Sequence, residues 1–463
     1  VALLSLFLST VARAGTPVTV TIDPAKTGAT TSPTFAGLSF ETALMLPKNG
    51  HHYFRPDNKA LLAMFKQLNI RSLRIGGNTA DRETVPVPSE ADIDSLFEFA
   101  RAADVKVLYT LRLKGHDDPS DAAKVAKYIW SKYKDNVECF AIGNEPNMYV
   151  TEPAEYCALM KKYADAIDSP DVAPGAKFSG PGSTPGKVIW SRELADTLGP
   201  GGKIGLITQH SYPGGSARKV TNPTTARSAM LSEKWTQGYQ KFYDSFVPTV
   251  KKNQIGYRLE ESNSFFYGGA QDVSDTFAAA LWALDFMHWW AQHDCTGINF
   301  HTGDSVDAGE KMSPSRYAVF WTSDKGYHPH PLAYGIKTFG VGSRGTYVEA
   351  SIKSDEALNL TAYAVRGDDN ALYVTLINKE CGDGARDARV TIQLPHGSAK
   401  AEWMRLCAPK NDLAAKEQIT LGGAEIRDDG GFDGRWEPAE LGEANLMIDL
   451  FAGSAKVVRL TPR

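Results

Sequence analysis

The chain has 463 residues, a formal net charge of −4 and a hydrophobic fraction of 42%. That length holds about two or three domains with a sizeable core. The charge balance excludes non-specific nucleic-acid binding, which needs a basic face, and argues mildly against a dedicated site for long polyanions.

Residues 1–14 form an apolar run that ends in small residues, with Ala12-Arg13-Ala14 fitting a cleavage site. They read as part of a signal peptide, so the expected location is secreted or periplasmic. The run is too short to span a bilayer, and no later stretch is apolar enough for a membrane helix. Residues 18–22 alternate apolar and polar, and 15–30 are expected to supply a strand to a later β-domain.

From about 31 to 342 strand-like and helix-like segments alternate. The strands are expected at 35–40, 70–75, 105–111, 137–142, 177–180, 205–210, 255–261 and 297–301. Helical periodicity appears at 57–67, 89–103, 119–133, 274–293 and 332–339. Largely continuous apolar strands separated by helices predict a (β/α)8 TIM barrel, with its site at the C-terminal strand ends. From 343 to 463 the pattern is strands alone, at 347–352, 358–365, 372–377, 388–394, 401–406, 418–421, 446–451 and 454–460. That predicts an antiparallel β-sandwich.

The five cysteines leave at least one unpaired; Cys381 and Cys407 are candidates for a pair. No Cys/His spacing suits a zinc site, and no cofactor is expected. Asn359-Leu360-Thr361 is a glycosylation sequon.

Two glutamates carry the chemistry. Glu145 follows the fourth strand in Ile142-Gly143-Asn144-Glu145-Pro146-Asn147, and Glu260-Glu261 close the seventh. A carboxylate where a buried strand emerges is held rigidly yet open to substrate. Two of them, brought close, can cleave a glycosidic bond. Strand side chains alternate, so only one of Glu260 and Glu261 is expected to face the site.

The Asn-Glu on strand four and the Glu on strand seven resemble the clan-A retaining glycoside hydrolases. More narrowly, Ile142–Asn147 as quoted, Leu73-Arg74-Ile75-Gly76-Gly77, Glu261-Ser262-Asn263-Ser264, Gly268-Gly269-Ala270 and Ser274-Asp275-Thr276-Phe277-Ala278-Ala279 resemble glycoside hydrolase family 79, the β-glucuronidases and heparanases. The resemblance implies Glu145 as general acid/base and Glu261 as nucleophile, with Glu260 where relatives carry a small residue and pointing away from the lining. It implies that Asn144, Glu41 and Asn78 hold sugar hydroxyls, while His210 and Tyr212 orient the nucleophile. It also implies that Tyr267, Gly268 and Gly269, with Tyr334, receive a uronate carboxylate. The expected function is an exo-acting, retaining β-glucuronidase acting on glucuronic-acid-containing saccharides. The alternatives are a heparanase-type endo-β-glucuronidase and a non-catalytic carbohydrate-binding protein. Oligomeric state is not legible. Segments 42–54 and 302–327 are expected to wall the far side of an exo site.

Overall fold

The computed structural model describes residues 15–303, 315–393 and 398–462. The proposed leader at 1–14 and the middle of the 302–327 insertion lie outside the described residues.

After β1 (Thr16–Thr30) the barrel runs β2 (Ala36–Glu41), α1 (Lys59–Gln67), β3 (Ser72–Gly76), α2 (Glu90–Ala103), β4 (Lys106–Leu111), α3 (Ser120–Tyr133), β5 (Val137–Ile142), α4 (Pro153–Ile167), β6 (Phe178–Ser183), α5 (Ile189–Leu198), β7 (Ile204–Ser211), α6 (Pro223–Met230), α7 (Glu233–Lys252), β8 (Gly256–Ser262), α8 (Phe277–Gln292) and β9 (Gly297–His301). Strands β2 to β9 close into a parallel eight-stranded barrel, with β9 paired back to β2. A hairpin of β10 (Phe320–Ser323) and β11 (Gly326–Pro329) then leads into α9 (Pro331–Gly342). That hairpin overlaps the end of the 302–327 segment expected to wall the site.

Local chemistry explains the element ends. Ser89 and Asp92 form a reciprocal capping box at the start of α2, and Asn58 caps α1 through the Leu61 N–H. Helix α8 is buried on every side from Phe277 to Ala291. An all-round apolar helix has to be enclosed; here one face meets the barrel and the other the C-terminal domain.

That domain contains β12 (Gly345–Lys353), β13 (Leu360–Gly367), β14 (Leu372–Asn378), β15 (Ala388–Gln393), β16 (Ser398–Cys407), β17 (Thr420–Leu421), β18 (Glu437–Ala439), β19 (Asn445–Leu450) and β20 (Ser454–Pro462). Together with β1 they form one ten-stranded sheet folded over a core of Val18, Val20, Val374, Val390, Ile448 and Val458, among others. Strand β1 sits between β12 and β15, antiparallel to the first and parallel to the second. The sheet is therefore not wholly antiparallel, because a strand that precedes the barrel completes it.

Asp285 of α8 joins the domains. It accepts from Lys379 Nζ at 2.8 Å and the Tyr363 hydroxyl at 2.8 Å, both buried, and from the half-buried Thr361 Oγ1 at 2.7 Å. All five cysteines are free, so Cys381 and Cys407 do not pair. The sequon's Asn359 spends its amide on the Leu231 and Lys379 carbonyls. No helix among the described residues is long and apolar enough to cross a membrane.

Candidate active site

The C-terminal ends of the barrel strands bring Glu145, His210 and Glu261 together, with one donor atom of each within 4.8 Å of the others. Glu145 follows β5 in a left-handed backbone conformation, φ 48° and ψ 53°. That conformation costs a residue with a Cβ about 1–2 kcal/mol. It is held by the Glu145 N–H on the Gly182 carbonyl at 3.1 Å and by the Met148 N–H on the Glu145 carbonyl at 2.9 Å. The His210 ring meets Glu145 Oε1 through Nδ1 at 2.9 Å.

Glu261, at the end of β8, is 9% exposed. Arg74 Nη1 donates to its Oε2 at 2.8 Å, and the Tyr212 hydroxyl donates to Oε1 at 2.9 Å. Burial alone would raise its pKa, but the charges of His210, His301 and Arg74 and the Tyr212 hydroxyl outweigh it. Glu261 is thus held well below the usual carboxylate range. The His210 ring is driven in the opposite direction. Burial opposes its charge, yet Glu261, and then the hydrogen bond and charge of Glu145, raise its pKa despite Arg74. Burial and the neighbouring Glu261 push the Tyr212 hydroxyl far up, so it remains a donor.

Arg74 is the keystone of this cluster. It is 1% exposed, and its second arm, Nη2, donates to Asn144 Oδ1 at 2.7 Å. One guanidinium therefore ties the end of β8 to the residue beside Glu145. The Asn144 N–H donates to Asp81 Oδ2 at 2.6 Å, and Asp81 also accepts from the Tyr149 hydroxyl and from the Leu113 N–H at 2.8 Å. The turn carrying Glu145 is fixed from three sides.

At the end of β2, Glu41 accepts from the backbone N–H groups of Asn78 at 3.2 Å and Thr79 at 2.8 Å. His301 Nε2 lies 3.7 Å from Glu41 Oε1. Gly77 is required beneath it: a Cβ there would lie within 2.6 Å of the Glu41 carboxylate. Asn78 reaches the cluster through its backbone, with its side chain toward solvent.

Tyr267, Gly268 and Gly269 follow β8 with φ of 68°, 76° and 86°. Three successive left-handed residues turn the chain sharply; the Gly268 N–H faces the Tyr317 hydroxyl, and the Gly269 N–H has no acceptor among the described residues. Backbone amides presented in such a turn suit an anion. A Cβ on Gly269 would sit 2.8 Å from the Tyr317 nitrogen, which makes the glycine obligatory. Tyr267 itself is 60% exposed and stacks under Arg218, whose Cζ is 4.0 Å from the ring centroid.

Two sequence expectations need correction. Tyr334 does not join this cluster: it lies on α9, and its hydroxyl accepts from the Ile426 N–H of the C-terminal domain at 3.1 Å. The tyrosine beside the glycine turn is Tyr317, 6.2 Å from Tyr212 and 6.1 Å from His301 between ring centroids. Nor does Glu260 point away from the lining. The pairing of β8 with β9 is irregular between Leu259 and Ser262, which breaks the alternation. Glu260 faces the interior one level below Glu261, accepting from Thr208 Oγ1 at 2.7 Å, and no cation pairs with it among the described residues. Arg74, Asp81, His301 and Tyr317 were not singled out from sequence. An arginine inside an apolar strand, Leu73-Arg74-Ile75, was the one signal available for the first of them.

No family model matches this chain. It is 24% identical over 472 aligned residues to a hyaluronoglucuronidase of the leech Hirudo nipponia, covering 89% of this chain and 91% of that protein. It is 24% identical over 193 residues to a β-glucuronidase of Aspergillus niger, covering 36% of this chain and 34% of that one. Among solved structures, a 4-O-α-L-rhamnosyl-β-D-glucuronidase from Fusarium oxysporum superposes with a TM-score of 0.72 at 18% identity, over 95% of this chain and 99% of that one. A family 51 arabinofuranosidase from Xanthomonas axonopodis also gives 0.72, at 13% identity, over 96% of this chain and 100% of the other. The two solved structures share the fold of the barrel with its appended β-domain.

Proposed function

We propose that this chain is a retaining glycoside hydrolase that removes β-linked glucuronic acid, with Glu261 as nucleophile and Glu145 as acid/base. The carboxylate spacing carries the reading: a separation within 4.8 Å between donor atoms fits double displacement. Inversion needs about 6.5–9.5 Å between the carboxyls to admit a water. Glu261, held ionised by Arg74, His210 and Tyr212, attacks the anomeric carbon as Glu145 gives its proton to the departing oxygen. Glu145 then takes a proton from the water that releases the sugar. Asn144, fixed by Arg74, is placed for the 2-hydroxyl, and Glu41 for a further hydroxyl of the same ring. The backbone amides of Gly268 and Gly269, with the Tyr317 hydroxyl beside the first, are the proposed seat of the uronate carboxylate.

The names of the two curated relatives support the sugar, and a terminal glucuronide is the preferred substrate. The segment after β2 is tied down beside Glu41, its Thr42 hydroxyl donating to the Gly76 carbonyl at 3.1 Å, which suits a wall on that side of the site. An endo-acting enzyme is the second reading, favoured by exposed Arg218 and Arg316 flanking the glycine turn. Both readings predict hydrolysis of an aryl β-glucuronide, with β-glucuronic acid as the first product by proton NMR. Preference over the matching β-glucoside should exceed about 10²-fold, because a neutral sugar leaves the anion's donors unpaired. α-Glucuronic acid as first product, or equal rates on the two glycosides, would refute the mechanism or the sugar respectively. A glucuronide-capped oligosaccharide separates the readings: exo action frees the monosaccharide without early shortening of the rest.

A further inference from the structure

A third carboxylate lies beneath the catalytic pair. Glu260 is 1% exposed; Thr208 satisfies its Oε1, while Oε2 has no hydrogen-bond partner among the described residues. Above it, His210 is wholly buried, and its Nε2 likewise has no partner among the described residues. Glu260, through the Oε1 that Thr208 holds, and His210, through Nε2, both approach Gly182. A Cβ on Gly182 would fall 2.4 Å from Glu260 Oε1 and 3.2 Å from His210 Nε2. Gly182, at φ 56°, thus clears the space in which the carboxylate and the ring approach.

We infer that Glu260, in the glycosidase proposed above, is a positioning residue that keeps a proton on His210 Nε2 and so reserves Nδ1 for the proton shared with Glu145. A buried carboxylate only accepts, and a lone pair on Nε2 would face it unfavourably. A proton on Nε2 gives Oε2 a donor through one bridging water. Nδ1 then follows both states of Glu145 without a ring flip. When Glu145 is ionised, Nδ1–H donates to Oε1. When Glu145 holds the catalytic proton, Nδ1 is an acceptor. In the first displacement that proton goes to the leaving oxygen together with the electrons of the broken bond. In the second, the attacking water returns one. The opposite tautomer, protonated only on Nδ1, would suit ionised Glu145 alone. The other charged groups facing the ring are Glu261 on β8 and Arg74 on β3, with His301 on β9 bearing on Glu261. They act on the charge of the ring, whereas Glu260 acts from the Nε2 side.

The test uses the full-length protein with ¹⁵N-labelled histidine, His210 being assigned against His210→Gln. Glu260→Gln keeps the acceptor for Thr208 but turns an amide donor toward Nε2. The wild-type ring is expected to carry its proton on Nε2, and the variant to switch to Nδ1. With the switch, kcat for a poor leaving group should fall about tenfold with little change in KM, and the pH profile should move. If Glu260→Gln does not fold, Thr208→Val, which removes the carboxylate's one other donor, should strengthen the Nε2–H state. A wild-type ring protonated on Nδ1 alone, or a variant with unchanged ring signals and pH profile, overturns the inference. The tautomer switch without any glucuronide hydrolysis by the wild type supports the inference and removes only the proposed activity.

Discussion

At the scale of single residues, the site separates two carboxylates by their surroundings. Glu261 has a cation, a tyrosine hydroxyl and two histidines around it; Glu145 has His210 on one side and access to solvent on the other, its side chain 19% exposed. The proposed roles predict different mutant phenotypes. Glu145→Ala should lower kcat for alkyl glucuronides by about 10²–10⁴-fold and affect the first step on activated aryl glucuronides far less, since a good leaving group needs no proton. Azide should restore part of the second step and yield the β-azide, read by product NMR; an α-azide would exclude retention. Glu261→Gln should also lower the acidity range in which His210 stays charged, because Glu261 is the leading influence that raises the His210 pKa.

At the scale of elements, the eight barrel strands were legible because a buried parallel strand has no solvent side and reads as a short apolar run ended by turn residues. The general position of Glu145 and Glu261 at two strand ends followed from that alone. What the sequence hid depends on packing between elements. The irregularity in β8 puts Glu260 and Glu261 both inside the barrel, which strict alternation forbids. Tyr317 precedes a hairpin folded from a stretch without helical or alternating pattern, so nothing local marked it off from Tyr334. Strand β1 was legible as alternating, but its parallel pairing with β15 depends on residues more than three hundred positions away.

The join between α8 and the C-terminal sheet gives an element-scale prediction. Asp285 is fully buried, and burial would raise its pKa, but Lys379, Thr361 and Tyr363 lower it on balance. A carboxyl whose folded pKa is depressed stabilises above its unfolded value, and that contribution is lost as pH falls below the ordinary 3.8. Lys379→Met alone should destabilise by about 3–5 kcal/mol, because it leaves the charge unpaired. Pairing it with Asp285→Leu should recover part of the loss. Urea denaturation measures both; additive losses would mean the pair does not act as a unit.

At the scale of the whole molecule, two histidines link fold stability to pH. His288 packs flat on Tyr363 with centroids 4.7 Å apart, and His330 lies against Trp321. Burial pushes both pKa values down to about 3. Each is therefore neutral in the folded chain but protonated in the unfolded chain below 6.5, so the unfolded state binds more protons in that window. Stability should fall as pH drops from 6.5 toward 3, by up to about 1.4 kcal/mol per pH unit for each residue. Neither ring nitrogen of His330 has a hydrogen-bond partner among the described residues, so His330→Leu should reduce the slope of stability against pH. An unchanged slope would place the acid sensitivity elsewhere.

The claim on which the rest depends is that Glu261 forms a covalent bond to a glucuronic acid residue. A 2-deoxy-2-fluoro-β-glucuronide with an activated leaving group slows both steps and traps the intermediate, and mass spectrometry of a protease digest then locates the label. The account predicts one equivalent of fluoroglucuronyl on Glu261, time-dependent loss of activity, and no label in Glu261→Gln, whose turnover should be lower by about 10⁴-fold or more. Label on Glu260 or Glu145, or turnover of the wild type without any covalent adduct, would contradict it.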